Sequence, residues 1–270
     1  MSNAALTDFP QPKKFGLFNG LGLWTLYKKE VRRFLKVGMQ TVLAPVATTL
    51  LYMTVFAVAI GARRGDVGGI PFAEFLAPGL ILMGLLNNAF ANSGSSILVS
   101  KVQGNTVDFL MPPLSALELF IAFVAGAMTR GVLVAAVTAV TLVPFLDMMP
   151  AHWWAVLYFG LSAAAMLSMI GVIGGLWAEK FDHMAAVTTF VITPLTFLSG
   201  TFYSITNLPG PLATISHFNP FFYMIDGFRY GFTGHADGSL MIGVILLAVI
   251  NLALGILSYA LLHAGWRLKS

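Results

Sequence analysis

The sequence predicts an all-α membrane protein with six transmembrane helices, an N-terminal amphipathic interface helix and a re-entrant outer helical hairpin before the last span. Three observations carry this prediction. First, 57% of the 270 residues are hydrophobic and only 10% charged, and the mean hydropathy of +0.83 excludes a soluble domain of this length. Second, six windows, at about 38–60, 75–98, 116–145, 153–177, 184–203 and 239–263, each supply the roughly 20 apolar residues that a helix needs to cross hydrocarbon. Third, the Lys and Arg residues divide unevenly between alternate loops. Lys13, Lys14, Lys28, Lys29, Arg32, Arg33, Lys36, Lys101, Lys180, Arg267 and Lys269 fall on one side, and Arg63, Arg64 and Arg229 on the other. The positive-inside rule then puts both termini in the cytoplasm. The chain divides into an irregular tail (1–20), the interface helix (21–37) and a six-helix transmembrane domain (38–270).

The tail, with Pro10 and Pro12, carries no periodic signal. From Leu21 the apolar residues Leu21, Trp24, Tyr27, Val31, Phe34 and Leu35 recur at three- and four-residue spacing, with Lys28, Lys29, Arg32, Arg33 and Lys36 opposite. That pattern is an amphipathic helix, and both a membrane-surface anchor and a collar against a partner subunit stand open. The first span contains Pro45 and ends in the short outer loop GARRGD. The second opens with FAEFLAPGL and places Asn88, Asn92 and Ser95 or Ser96 on one face. Such side chains serve as interhelical glue at about 1 kcal/mol each, or line a pathway.

The stretch KVQGNTVDFLMPP (101–113) is the longest internal connection on the basic side and is polar enough for a short surface helix, where a partner can push. The third span carries Arg130 well inside its apolar run. An arginine there costs about 2.5–3.5 kcal/mol on insertion scales, so it faces protein or water. Glu118 lies too far along the same helix to pair with it directly. Glu74 is a conceivable mate, and structural and gating roles stand open. In the fourth span Gly171 and Gly175 have the GxxxG spacing that permits close helix approach within one subunit. Glu179, Lys180 and Asp182 form a second, smaller loop on the basic side. The sixth span is uniformly apolar and is anchored by Trp266, Arg267 and Lys269.

Between the fifth and sixth spans, residues 194–234 are both greasy and broken. Pro194, Gly200, Pro209, Gly210, Pro211 and Pro220 forbid a continuous helix, while Tyr203, Phe222, Phe228 and Tyr230 keep the stretch aromatic. Irregular backbone at membrane depth persists only against protein or a wet cavity, so the segment is expected to dip in from outside and fold against other helices. Asp226 and Arg229 are spaced to pair along a short helix at its rim. Tyr203, Phe222 and Tyr230 suit an interfacial belt.

Two runs here, PLTFLSGTFYSITNLP and NPFFYMIDGFRYGFTG, together with FLAPGL at Phe75–Leu80, resemble type-2 ABC transporter permeases. The likeness covers nearly the whole chain from Leu21 onward. In that family a loop of pattern GTxxxLLxxPxS forms a coupling helix in a groove of a cytoplasmic ATPase. Gly104, Thr106, Leu110, Pro113 and Ser115 match it, and Phe109 departs from one leucine. The resemblance implies an exporter subunit of the bacterial inner (plasma) membrane, working as two copies, a homodimer, on two ATPase subunits that hold the ATP and Mg. The cargo it implies is a lipid-linked glycan, a polysaccharide or a hydrophobic compound, and with a glycan cargo Tyr203, Phe222 and Tyr230 would either stack on sugar rings or simply form the belt. The residues expected to couple are Gly104, Thr106, Asp108, Leu110, Pro113, Glu179 and Lys180. Those expected on a path or gate are Asn88, Asn92, Arg130, Tyr203, Phe222 and Tyr230.

The sequence contains no HExxH, GxSxG, CxxC or GxxxxGK[ST] motif, and its five histidines have no ligand spacing. No catalytic residue, metal or cofactor on this chain is expected, and energy comes from a partner or a gradient. A gradient-driven carrier or channel is the alternative, although acidic relays and inverted repeats are not visible. A non-transporting membrane scaffold is a third reading. The net charge of +4 reflects topology and contact with membrane lipids, and nucleic acid is not an expected partner.

Overall fold

The computed structural model describes residues 18–57, 66–67, 69–146 and 149–268. Most of the predicted tail, the Arg63–Arg64 loop and Lys269 lie outside them. The described helices are α1 (Gly20–Leu35), α2 (Gly38–Phe56), α3 (Phe72–Val102), α4 (Val107–Leu110), α5 (Ala116–Leu142), α6 (Trp153–Trp177), α7 (Phe181–Val187), α8 (Thr193–Phe197), α9 (Gly210–Phe218), α10 (Pro220–Thr233) and α11 (Leu240–His263). Five of them, α2, α3, α5, α6 and α11, are long and apolar enough to cross a membrane. The chain is a multi-pass membrane protein.

The predicted fifth span is not among those five. Its helix runs through α7, a π-helical turn at Thr188–Ile192 and α8, and stops at Phe197. The break has a local cause: the π turn lies directly before Pro194, whose ring denies the helix a backbone donor.

Helix α3 is the hub, packing on α2, α5, α6 and α10. At 31 residues it is about 46 Å long, well beyond the roughly 30 Å hydrocarbon layer. Its seam with α6 is made by glycine. A Cβ on Gly171 would lie 2.2 Å from Ser93 Oγ and 2.5 Å from the Phe90 carbonyl oxygen, and one on Gly175 would lie 2.8 Å from the Gly94 carbonyl oxygen. The GxxxG spacing therefore brings two helices of one chain together. Helix α11 is the outermost, with Met241, Ile245, Val249, Leu252 and Ile256 exposed.

The end of the bundle that carries Asn19 and Arg267, called the base here, is fastened by polar contacts. Asn19 caps α1 by accepting from Gly22 N at 2.9 Å, and its own N–H donates to Glu118. Glu118 also closes a capping box with Ser115 at the start of α5. Helix α1 forms where predicted but presents a different face. It buries Leu26, Glu30 and Phe34, while Leu21, Trp24 and Leu35 are exposed. The reason lies in α5, where Gly126 leaves room for the Glu30 stem and the Thr129 hydroxyl meets Tyr27 Oη at 3.0 Å.

At the opposite end, the crown, the predicted broken hairpin consists of a 3₁₀ turn (Ile205–Asn207), α9 and α10. Asn219 makes the corner between the two helices. Its Oδ1 accepts from Phe221 N at 3.0 Å and its Nδ2 donates to Leu195 O at 2.8 Å, with Pro220 at the first helical position. Gly234 ends α10 at φ 70°. The 14 residues of α10 reach only about 21 Å, too short to cross hydrocarbon.

The predicted Asp226–Arg229 pair does not form. Asp226 accepts from the N–H groups of Asp237 and Gly238 at 2.9 Å each. Arg229 is 1% exposed and points the other way, donating to Phe75 O at 3.1 Å and Gly200 O at 2.6 Å. Its guanidinium lies 3.8 Å from the Phe75 ring centroid. It is a core residue that ties the crown to α3, not a cation of an outer loop.

Candidate functional site

Three places hold the residues that the sequence singles out. The first is the α3–α5 connection at the base. Gly104 follows the end of α3 at φ 71°, and Gly104 N and Asn105 N donate to the Lys101 and Ser100 carbonyls. This closes the helix as only a residue tolerant of positive φ allows. Thr106 stands at the cap position of α4, and Asp108 in its first turn is exposed. One side chain of the short helix points inward: Phe109 is 2% exposed and meets Phe123 of α5 edge-on at 5.5 Å. Val107, Leu110 and Met111 are exposed, Met111 by 80%. Pro113 completes the loop by accepting from Asn19 Nδ2 at 3.1 Å. The result is a protruding apolar knuckle braced on α5.

The second loop, with Glu179 and Lys180, is joined to the first by a residue that sequence reasoning counted only as a basic-side charge. Lys101 Nζ donates to Leu176 O at 2.6 Å and to Ala178 O at 2.7 Å, satisfying carbonyls that the end of α6 would otherwise leave bare. Arg267 from the end of the chain donates to Trp177 O at 2.9 Å and pairs with Glu179 at 3.5 Å. Lys180 is exposed at the start of α7.

The third place is a cleft of about 540 Å³ between α2, α3 and α5. Asn88 and Arg130 line it together: Arg130 Nε donates to Asn88 Oδ1 at 3.1 Å, while Asn88 Nδ2 is held by Gly84 O at 3.0 Å. Asn88, and not Glu74, is the partner of Arg130. Gln40, Thr41, Thr48, Thr49 and Tyr52 of α2 supply the facing wall. The sequence does signal this wall, because these polar residues recur along the first span at intervals of seven or eight and then three or four residues, which keeps them on one helical face toward the Asn87–Asn88 stripe of the second.

The remaining path candidates lie elsewhere. Asn92, one turn from Asn88, is fully buried and receives Arg33 Nη2 on its carbonyl oxygen at 2.7 Å and on Oδ1 at 3.0 Å. Arg33 also reaches Ser95 Oγ at 3.2 Å and pairs with Glu30 at 3.3 Å. A cation expected to face headgroups thus binds α1 to the polar stripe of α3. Tyr203 is half-buried against the main core. Phe222 is 1% exposed, packed between His217 and Tyr223. Tyr230 stacks on His152 at 4.7 Å near Trp154. None of the three aromatics lines the cleft that holds Arg130.

The family model described as ABC-2 type transporter matches residues 22–233. The chain is 39% identical over 254 residues to the inner membrane transport permease YadH of Escherichia coli (strain K12), covering 93% of this chain and 98% of that protein. It is also similar to nodulation protein J of Neorhizobium galegae, 24% identical over 242 residues covering 87% of this chain and 90% of that protein. The same-named protein of Rhizobium leguminosarum bv. viciae is 26% identical over 239 residues, 86% of this chain and 90% of that protein.

Proposed function

The chain belongs to the family of ABC-2 type transporters, and from that premise we propose that it is the membrane-spanning permease subunit of an ATP-driven exporter of the bacterial inner membrane. Two copies stand side by side on two cytoplasmic ATPase subunits, which hold and hydrolyse the ATP with Mg. The base is the cytoplasmic end and carries both termini. Helix α1 lies at that interface, and the segment Phe181–Tyr203 makes a sixth crossing. The α9–α10 hairpin re-enters from outside.

The observation that carries this reading is the knuckle at Val107–Met111. Exposed apolar side chains on a four-residue helix gain nothing from this chain's own core, and they suit a groove on a partner. Phe109, locked against Phe123, makes the knuckle rigid with α5, and the connection follows directly from α3, the hub. A push on it therefore moves the helices bearing Asn88 and Arg130 as bodies, which suits a rigid-element gating step. The cargo class is that of the resemblance: a lipid-linked glycan, a polysaccharide or a hydrophobic compound.

Co-expression with a candidate ATPase tests the proposal. The expected result is a stoichiometric complex with vanadate-sensitive ATPase activity, and the Leu110→Asp, Met111→Asp double variant loses the complex while its own thermal stability is unchanged. Ion-dependent flux through the lone chain in liposomes, indifferent to any ATPase, overturns the proposal in favour of a gradient-driven carrier.

A further inference from the structure

The cleft between α2, α3 and α5 has a chemistry that the transport reading does not specify. Its lining includes one formal charge, that of Arg130, and no carboxylate, surrounded by the amides of Gln40, Asn87 and Asn88 and the hydroxyls of Thr41 and Thr48. A guanidinium has five N–H donors in a planar fork. Among the described residues its one acceptor is Asn88 Oδ1, which takes the Nε hydrogen at 3.1 Å, so the Nη edge that reads carboxylate or phosphate bidentately is left for the cleft. Asn88 is itself held by Gly84 O, which fixes the direction of the fork.

The cleft follows α2 from Val37 to Tyr52, about 22 Å along the helix. Its α2 side is open, because Gln40, Ala44 and Thr48 are exposed. Arg130 and Asn88 stand one helical turn beyond the Arg33–Asn92 contact. The charge therefore lies just inside the mouth nearest the base, where a headgroup entering sideways from the adjoining leaflet meets it first.

We propose that this cleft is a headgroup subsite that binds the phosphate or carboxylate group of an anionic amphiphile, with Arg130 as the reading residue and Asn88 as its positioning residue. The proposal rests on the exporter reading and narrows the cargo to molecules with a negatively charged head at the membrane.

Two measurements test it. In the first, the complex in zwitterionic detergent is offered didecanoyl phosphatidic acid or didecanoyl phosphatidylcholine, and the retained lipid is counted by native mass spectrometry. The phosphatidic acid is expected to be retained roughly tenfold better, as a focused cationic site allows. Arg130→Gln erases that preference, Arg130→Lys keeps part of it, and Arg267→Gln, at an exposed base cation, leaves it intact. Displacement of the lipid by an equal concentration of inorganic phosphate shows a site for soluble anions and overturns the amphiphile assignment.

The second measurement holds even if Arg130→Gln does not assemble. The chain has no cysteine, so Thr48→Cys places a single thiol in the cleft. An anionic methanethiosulfonate is expected to react about tenfold faster there than a cationic one of similar size, and equal rates overturn the proposal. The two readings fail separately. Anion preference in a chain that binds no ATPase refutes the exporter, and a vanadate-sensitive complex with no anion preference refutes the headgroup site.

Discussion

Two arginines packed among apolar helices have opposite fates in this protein, and their surroundings decide which. Arg229 sits on α10, where its fork closes on two backbone carbonyls and one aromatic face, so its charge is consumed in holding the crown to α3. Among the described residues Arg130 meets a single amide and keeps donors for the cleft. Sequence alone treats the pair in reverse, giving Arg229 a rim position beside Asp226 and leaving Arg130 without a mate. Spacing along one helix reveals neighbours three and four apart, but not which carbonyl of a distant turn will be bare. Gly200 at φ 76° turns its carbonyl toward Arg229, and no local pattern announces that. Arg229→Met leaves buried acceptors short of a donor and is expected to destabilise the protein by roughly 2 to 5 kcal/mol. Thermal unfolding in detergent measures this, with Arg229→Lys recovering part of the loss. Unchanged unfolding in Arg229→Met would mean that the crown is held by apolar packing alone.

At the scale of elements, composition and periodicity located α2, α3, α5, α6 and α11 well, because a membrane-crossing helix announces itself by length and greasiness. The fourth window, 153–177, coincides with α6. Faces were harder to read than positions. In α1 the charged Glu30 is buried and Trp24 exposed, since the bundle opens a slot at Gly126 that only the tertiary fold creates. Glycine spacing was informative where two backbones meet, and it yields a paired prediction. Gly171→Ala drives a methyl group into Ser93 and Phe90 and is expected to cost about 1–3 kcal/mol by overpacking. At Gly38, where an added Cβ meets nothing within 4 Å, alanine should change stability by less than about 0.5 kcal/mol. Chemical denaturation of both variants checks the contrast. The knuckle is tested at the same scale. Phe109→Ala removes the contact that braces α4 on α5 and is expected to cost about 3–5 kcal/mol. It should also lower ATPase coupling; substitutions at the exposed Leu110 and Met111 should lower coupling as well, but leave stability intact.

For the whole molecule, the number of crossings turns on one irregular segment. An odd count of five would put the two ends of the chain on opposite sides of the membrane, yet the start of α1 and the end of α11 are both at the base. Asn19 contacts Pro113 and Glu118, and Arg267 contacts Trp177 and Glu179. In the proposed topology the sixth crossing lies between Phe181 and Tyr203. The helical run Phe181–Phe197 extends about 26 Å, and Leu198–Tyr203 continue it with Ser199 and Thr201 satisfied by the Thr196 carbonyl. Its two ends also have different neighbours. Met184 reaches into the glycine-lined seam near the base, where a Cβ on Gly94 would lie 2.2 Å from its methyl group. At the far end, Thr201 crosses Gly79 near the start of α3, 3.0 Å from a Cβ placed there, and Ile205 N donates to Asp237 Oδ2 at 3.2 Å. A segment that touches both ends of the same long helix suits the proposed sixth crossing, although no 18-residue stretch of it is an unbroken α-helix. The cysteine-free background makes this directly measurable. In intact cells with a permeable outer envelope, Thr206→Cys is expected to react with a membrane-impermeant maleimide, whereas Lys180→Cys reacts only after the inner membrane is opened. Labelling of both from the same side would make the segment a re-entrant loop, and the chain would then have five crossings with its ends on opposite sides.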